Sequence, residues 1–307
     1  MGFLKFIGRF LAFILCIILV VLDLVFLLRT GILYTVEKKN LNNSLNKTDF
    51  VELLNTADPK ILEDIYGDLG ENDISKETID TCLNAKPLKA LISDFVSGTF
   101  NSIIRGDDYK LEDATIKVAV RDTLAEVNKE KEIIPVTDEV INDLTKGISD
   151  SLKEMPPKEE LLEEIDPTVV NIIQTGFGKT GTLIYIGAVV GIILLMALFL
   201  FSLYKWLTRT GIASIISGTA VATLGFLTTM IIEVLTKNVE PVIIEIIKIF
   251  SNNFSTGMIK AGVILLIAGI IQVVISRIIY KKIHREYQEE VVLDKPSSIL
   301  DVQEKSS

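Results

Sequence analysis

The chain is poor in the residues that carry most catalytic and metal chemistry. It has one histidine, His284, and two cysteines, Cys16 and Cys82, among 307 residues. The histidine precedes Arg285 in a basic segment near the C-terminus. A Ser-His-Asp triad, a Cys-His pair and a typical zinc site all need histidine or several thiolates. We therefore expect a protein that is not an enzyme and that needs no cofactor or metal.

Charge is scarce in four long stretches. The clearest runs from Thr180 to Tyr204 and holds no Asp, Glu, Lys or Arg. At about 1.5 Å per residue, a helix of this length spans about 37 Å, enough to cross a hydrocarbon core of about 30 Å with some tilt. Cys16 lies in another apolar stretch and Cys82 in a hydrophilic one. We assign them to different compartments and expect no disulfide framework.

The apolar stretches divide the chain into nine segments. We predict transmembrane helices over residues 10–28, 180–204, 210–232 and 260–280. Between and beside them we place a cytoplasmic N-terminus (1–9), an acidic extracytoplasmic domain (29–179), a cytoplasmic loop (205–209), an extracytoplasmic loop (233–259) and a disordered cytoplasmic tail (281–307). The predicted fold class is all-α: a four-pass helical membrane protein with a mostly helical extracytoplasmic domain between the first and second transmembrane helices.

The first apolar stretch has two interpretations, a cleaved signal peptide or an uncleaved signal anchor. Lys5 and Arg9 precede it, which suits both. Its apolar run covers residues 10–28, longer than the roughly 7–15 residues of a typical signal-peptide core, and no small-x-small cleavage site follows. We interpret it as a signal anchor.

Basic residues beside the short loops predict the orientation. Lys5 and Arg9, then Lys205 and Arg209, then the basic residues of 277–285 fall on one side of a membrane if the chain crosses it four times. Positive charge near short loops stays in the cytoplasm. We expect a cell-membrane protein with both termini in the cytoplasm.

The predicted domain is acidic. From Thr30 to Lys179 the sequence has 30 acidic and 17 basic residues, a net charge of −13, so the rest of the chain sums to +4. This balance argues against nucleic acid as a partner and against docking of the domain on anionic lipid.

Helix signals punctuate this domain. Asp58-Pro59 and Asp166-Pro167 each place a capping carboxylate before a proline suited to a first helical position. The segment 110–132 is ambiguous because part of it alternates like a strand while its apolar residues also fit a helix. We favour the helix.

The second outer loop contains one further helix signal. Residues 241–252 are apolar except for a polar stripe of Glu245, Lys248 and Asn252. A helix of this length is too short to cross a membrane. We expect it to lie in the membrane interface or under the hydrophilic domain.

Small residues recur in the predicted transmembrane helices at spacings that allow close helix approach. They are Gly187, Gly191, Ser214, Gly218, Ala222, Gly262 and Gly269. We predict that they pack the helices into a bundle. The hydroxyl residues of the third helix are also candidates for a permeation path, although they wrap around it: Ser217, Thr219, Thr223, Thr228 and Thr229.

Asp23 is the only charged residue well inside a predicted transmembrane helix. A carboxylate in hydrocarbon is costly, so it is a candidate proton or cation site. It lies five residues from Leu28, about 7.5 Å along the helix, and can also act as a structural anchor near the headgroups. In that role we expect it to meet Lys260 or Lys179.

Two functions remain after these exclusions. We favour a non-enzymatic helical binding or scaffold domain, presented outside the cytoplasm and partnered by membrane lipid and by an extracytoplasmic or membrane protein. The alternative is a small transporter or channel component that uses Asp23, the Thr-rich third helix and Gln272. A membrane-embedded enzyme ranks third because it needs facing clusters of polar groups that the sequence does not show.

Overall fold

A computed structural model of the chain describes residues 2–57, 59–70, 75–129, 137–153, 158–163, 165–200, 202–235 and 241–293. These residues form thirteen α-helices and no β-strand. The all-α prediction is therefore confirmed for the part of the chain that the structure describes.

The helices follow one another with short connections. In chain order they are α1 (Gly2–Thr35), α2 (Lys38–Leu45), α3 (Phe50–Ala57), α4 (Pro59–Gly70), α5 (Lys76–Asn84), α6 (Lys86–Arg105), α7 (Asp113–Val127), α8 (Asp138–Lys153), α9 (Lys158–Glu163), α10 (Pro167–Phe177), α11 (Lys179–Leu200), α12 (Leu203–Leu235) and α13 (Pro241–Leu293).

Four of these helices contain segments long and apolar enough to cross a membrane: Phe6–Thr35, Lys179–Leu200, Leu203–Ile232 and Ile243–Arg285. Their number agrees with the four predicted transmembrane helices. The protein therefore has the helical composition of a multi-pass membrane protein.

The boundaries between the second and third transmembrane helices differ from the prediction, and α1 extends beyond residues 10–28 at both ends. α11 ends at Leu200 and α12 begins at Leu203, so residues 205–209, predicted as a loop, lie inside α12. This segment contains neither glycine nor proline. Nothing in its sequence disfavours a helix.

Another difference from the prediction concerns α13. The short helix predicted over 241–252 and the transmembrane helix predicted over 260–280 are one continuous helix. It extends to Leu293, into the tail predicted to be disordered, and residues 294–307 lie outside the described residues. Ser251, Asn252, Asn253 and Gly257 are weak helix formers, which made a break plausible. Tertiary contacts support the helix through this region.

Two capping signals have different outcomes. Asp166 caps α10, with its carboxylate accepting from the Thr168 N–H at 2.7 Å. Asp58 lies outside the described residues, although the following proline begins α4 as predicted.

The chain divides into two compact units. The first unit comprises Met1–Val25, Gly187–Ala220 and Gly262–Ser307, and the second comprises Phe26–Ile186 and Val221–Ala261. Helices α1, α11, α12 and α13 therefore contribute residues to both.

The second unit has an aliphatic core between α6, α7 and α8. Its buried members are Leu91, Ile116, Val120, Leu124, Val127 and Ile141. Four of them come from α7 and recur at helical spacing, which places them on one face. The helix favoured over 110–132 is thereby confirmed for Asp113–Val127, because burial of this face outweighs the short strand-like alternation. Residues 130–132 lie outside the described residues.

The first unit packs largely through its apolar helices. Leu19, Ile192, Met196 and Ala213 form a buried cluster from α1, α11 and α12. The backbone of α12 and that of α13 approach closely at two pairs of glycines. A Cβ on Gly218 would lie 2.6 Å from the Gly262 carbonyl oxygen, and one on Gly211 would lie 2.8 Å from that of Gly269.

Candidate functional site

Arg29 of α1 binds the point where α10 ends and α11 begins. Its Nε donates to the Gly176 carbonyl at 2.7 Å, and its Nη2 donates to the carbonyls of Phe177 at 2.8 Å and Gly178 at 3.1 Å. Nη2 also donates to the Thr182 hydroxyl at 2.8 Å. The C-terminus of a helix carries unpartnered carbonyls and partial negative charge, so a guanidinium is favoured there. Arg29 therefore fixes this junction to α1.

A cleft of about 560 Å³ opens beside the junction. Three cationic side chains line it, Arg29, Arg105 and Lys179, together with one carboxylate, Asp107. Three positive charges and one negative charge give the lining a net charge of +2. The cleft is thus locally cationic within a strongly acidic part of the sequence.

The end of α6 places Arg105 in this cleft. Arg105 is the last residue of α6 and is followed by Gly106, whose φ of 73° lies in the left-handed region that glycine adopts readily. A Cβ at Gly106 would lie 3.0 Å from Oε1 of Gln174, whose Nε2 donates to the Ile103 carbonyl at 3.2 Å. Close packing and this hydrogen bond hold the end of α6 against α10.

Hydrogen-bonding groups complete the lining. Gln174, Thr175, Thr180 and Thr182 all line the cleft. Hydroxyls and amides can donate to an anion beside the fixed charges.

At the other end of α10, hydrogen bonds from Thr168 lower the pKa of Asp166 below its usual value.

Two of the cations retain their full hydrogen-bonding capacity. Among the described residues, neither Arg105 nor Lys179 has a hydrogen-bond or ion-pair partner, and Nη1 of Arg29 donates to none. Arg105 and Arg29 bring like charges to the same lining. The cleft therefore concentrates positive charge and free donors, an arrangement suited to an anion.

The three charged residues predicted inside or beside the transmembrane helices lie in different settings. Asp23 is 4% exposed, in the first unit. Nζ of Lys260 donates to the Tyr34 hydroxyl at 2.6 Å and lies 4.9 Å from the centre of that ring. Lys179 lines the cleft. The proposed pairing of Asp23 with either lysine stays a prediction.

The predicted small residues also have different neighbours. Gly218 and Gly262 contact each other, while Gly269 contacts Gly211, which the prediction did not include. A Cβ on Gly187 or Gly191 would meet no described atom within 4 Å. Ser214 is buried and Ala222 is half-buried.

The hydroxyl residues of α12 share no single buried face. Ser217 is fully buried and donates to its own helix, at the Ala213 carbonyl, at 2.9 Å. Thr228 does the same to Leu224 at 2.8 Å, whereas Thr219 and Thr223 are exposed. A hydroxyl that donates to a carbonyl of its own helix already has a hydrogen-bond partner and needs no bound solute.

Comparison of the chain with protein-family models, with curated protein sequences and with solved structures found no match. Within the described ranges, no group of three or more His, Cys, Asp or Glu side chains is arranged to hold a metal ion.

Proposed function

We propose that the protein is an integral membrane protein that presents a non-enzymatic helical binding or scaffold domain outside the cytoplasm. The observation that carries the proposal is the way the second unit is built. Its core of α6, α7 and α8 belongs to the same compact unit as the adjoining ends of the four apolar helices. A domain built in this way holds a bound partner at a fixed place beside the membrane.

Contacts along α1, α2 and α6 support this role. Lys38 and Asp94 form an ion pair at 2.7 Å between α2 and α6. The Ser44 hydroxyl donates to Asn253 of α13 at 2.9 Å, and the Phe100 ring of α6 lies 5.4 Å from that of Phe250. The Ser44 and Phe100 contacts join the domain to α13, and the Arg29 contacts join α1 to the start of α11, by side chains as well as by the connecting chain.

The apolar helices support membrane insertion. Leu183, Leu194 and Ile264 are 70%, 63% and 69% exposed in the isolated chain. Large aliphatic side chains at such exposure need a lipid environment. The basic residues beside the short loops support a position of the domain outside the cytoplasm.

Exposed apolar side chains on the domain provide contact points for a protein partner. Val118 of α7 is 55% exposed and Leu144 of α8 is 38% exposed. A photo-crosslinking amino acid at Val118, in the full-length protein in its native membrane, should yield one discrete protein adduct. The same amino acid at Leu194 is the matched control and should react with lipid.

The transporter alternative predicts a different outcome. It requires a proton- or cation-dependent flux in reconstituted vesicles that Asp23→Asn abolishes while the folded protein remains equally stable. That result, with no discrete adduct at Val118 or Leu144, would replace the scaffold proposal. Adducts without flux would support it.

A further inference from the structure

We propose that the cleft formed by Arg29, Arg105 and Lys179 binds the phosphate group of an anionic membrane lipid. The inference rests on the membrane insertion in the proposed function but is independent of any protein partner. It assigns a ligand chemistry and specific residues to a site at one end of the membrane-spanning helices.

The chemistry of the lining favours a phosphate. Guanidinium groups donate to phosphate oxygens in a planar, charge-assisted geometry, and lysine adds a compact positive charge. Arg29 keeps Nη1 available while Nε and Nη2 hold the junction, and Arg105 and Lys179 have no partner among the described residues. Thr180 supplies a hydroxyl donor on the same lining.

The charge pattern of the cleft favours a bound anion. Lys179 is the first residue of α11, and a cation is disfavoured at a helix N-terminus, where anions are stabilised. Arg29 and Arg105 also bring like charges to the same lining, which contains one carboxylate, Asp107. A phosphate bound in the cleft would place negative charge beside these cations and the N-terminus of α11.

The position of the cleft favours a lipid over a free anion. Lys179 begins one candidate membrane span, and Arg29 lies six residues before the end of another at Thr35. Because Arg29 hydrogen-bonds to residues 176–182, these two positions lie at one level, where headgroups meet the hydrocarbon core. Leu33 and Phe177 line the same cleft and provide apolar surface for the glycerol and upper acyl chains.

The exposed face of α10 extends this apolar surface. Val169 is 45% exposed and Ile172 is 66% exposed, three residues apart on the helix that ends at the cleft. A short helix with an exposed aliphatic face suits the boundary between headgroups and acyl chains. A free phosphate ion would make no use of this face.

The acidic character of the whole domain does not exclude local binding of an anion. Charges in water are screened over about 8 Å at physiological ionic strength, so distant carboxylates contribute little inside the cleft. The prediction that the domain avoids anionic lipid rests on its overall charge, whereas the present proposal concerns this cleft alone. We predict that one lipid molecule binds in the cleft and that the rest of the domain surface does not bind anionic lipid.

The test uses the full-length protein in dodecyl maltoside micelles, with phosphatidylglycerol titrated against phosphatidylcholine and retained lipids counted by native mass spectrometry. The probe variant is Arg105→Gln with Lys179→Gln, which removes two charges and leaves the Arg29 hydrogen bonds in place. The matched control is Lys129→Gln with Lys146→Gln, which removes the same charge from exposed positions elsewhere in the domain.

We expect the wild-type protein to retain one phosphatidylglycerol in preference to phosphatidylcholine. The probe variant should bind it about tenfold more weakly or worse, since each lost charge-assisted hydrogen bond contributes measurably, and the control variant should bind like the wild type. Equal retention of both lipids by the wild type, or equal loss in both variants, would overturn the proposal.

A second measurement does not depend on the variants folding well. Phosphatidylglycerol should raise the thermal unfolding temperature of the wild-type protein in a dose-dependent way, and phosphatidylcholine should not. Inorganic phosphate in the same micelles should give no such stabilisation. If inorganic phosphate stabilised the protein equally and displaced the lipid, the site would be one for a free anion and the lipid assignment would be wrong.

The lipid-binding experiment and the crosslinking experiment test the two proposals independently. Loss of selective lipid binding with discrete protein adducts retained at Val118 would refute the lipid site alone. Selective lipid binding without adducts would leave the site in place and refute the scaffold role.

Discussion

The two units bury their apolar residues with different kinds of side chain. In the second unit, six large aliphatic residues of α6, α7 and α8 form the core and are 1–6% exposed. The first unit also buries Leu19, Ile192 and Met196, but its helices α12 and α13 approach through facing glycines. Large aliphatic residues such as Leu194 remain mostly exposed on its apolar helices.

The difference reflects the solvent that each unit is suited to. In water, burial of apolar surface contributes about 25 cal/mol per Å² and rewards large aliphatic side chains in a core. Between helices in lipid this driving force is absent, and small residues that allow close backbone contact take its place. Shortening a side chain should therefore destabilise the core of α6, α7 and α8 most. Enlarging a glycine should destabilise the contact between α12 and α13 most.

The largest effect should come from shortening a core residue of the second unit. Ile116 is 1% exposed, and Ile116→Ala removes buried methyl groups and leaves a cavity, at a cost of about 2–5 kcal/mol. Urea unfolding of the full-length protein in micelles, followed by circular dichroism, measures this loss. Val118→Ala is the control on the same helix, because its side chain is 55% exposed, and it should change stability by less than about 0.5 kcal/mol. Equal effects would mean that α7 does not face the core as described.

The next effect should come from enlarging a small residue of the first unit. Gly218→Val places a side chain against the backbone of Gly262 and Leu266, where even a Cβ would lie 2.6 Å from both. Overpacking of this kind costs about 1–3 kcal/mol. Thermal unfolding in micelles should show the loss, while Gly191→Val, at a position with open space, should leave the unfolding temperature nearly unchanged. A similar loss at both glycines would refute the packing difference between them.

A smaller effect, confined to the second unit, should appear with pH. The Asp49 carboxylate accepts from the Asn84 side chain at 2.9 Å and from the N–H groups of Val51 and Glu52, which caps α3. The Asn84 hydrogen bond, followed by these backbone bonds and the charge of Lys89, lowers the pKa of Asp49. Asp49→Ala should cost about 1 kcal/mol at neutral pH.

The sign of the pH dependence follows from the lowered pKa. The folded state binds the Asp49 proton less readily than the unfolded state, so the stabilisation is full above the unfolded value of about 3.9 and is lost as pH falls through the lower folded value. Asp49→Asn should keep part of the cap and lose this acid dependence. If wild type and Asp49→Asn lost stability in parallel below pH 4, Asp49 would not be the responsible group.

Much of the fold can be predicted from the sequence because its signals are local. The charge-free run of 180–204 needs only length and composition, and Ile116, Val120 and Leu124 indicate a helix by their spacing alone. The continuity of α13 is different. Ser251 and Asn253 weaken the helix locally, and the contacts that support it involve residues as distant as Ser44.

The cleft could not be predicted, because its cations come from separate helices. Arg29 and Lys179 are recognisable as charges that flank two transmembrane helices, but Arg105 lies 76 residues from Arg29 with no periodic relation to it. Only the packing of α6 against α10, through Gly106 and Gln174, brings Arg105 to the junction. Arg29 donates mainly to main-chain carbonyls, and because every residue type has a carbonyl, the sequence does not reveal these contacts.

The most direct test of the proposed topology is to determine on which side of the membrane Lys110 and Lys281 lie. In a background with Cys16 and Cys82 replaced by serine, single cysteines at Lys110 and at Lys281 are labelled in intact cells with a membrane-impermeant maleimide; both positions are exposed. We predict that Lys110→Cys reacts in intact cells and that Lys281→Cys reacts only after the membrane is permeabilised. Labelling of both positions in intact cells, or of neither until permeabilisation, would contradict the proposed arrangement of four crossings with the domain outside.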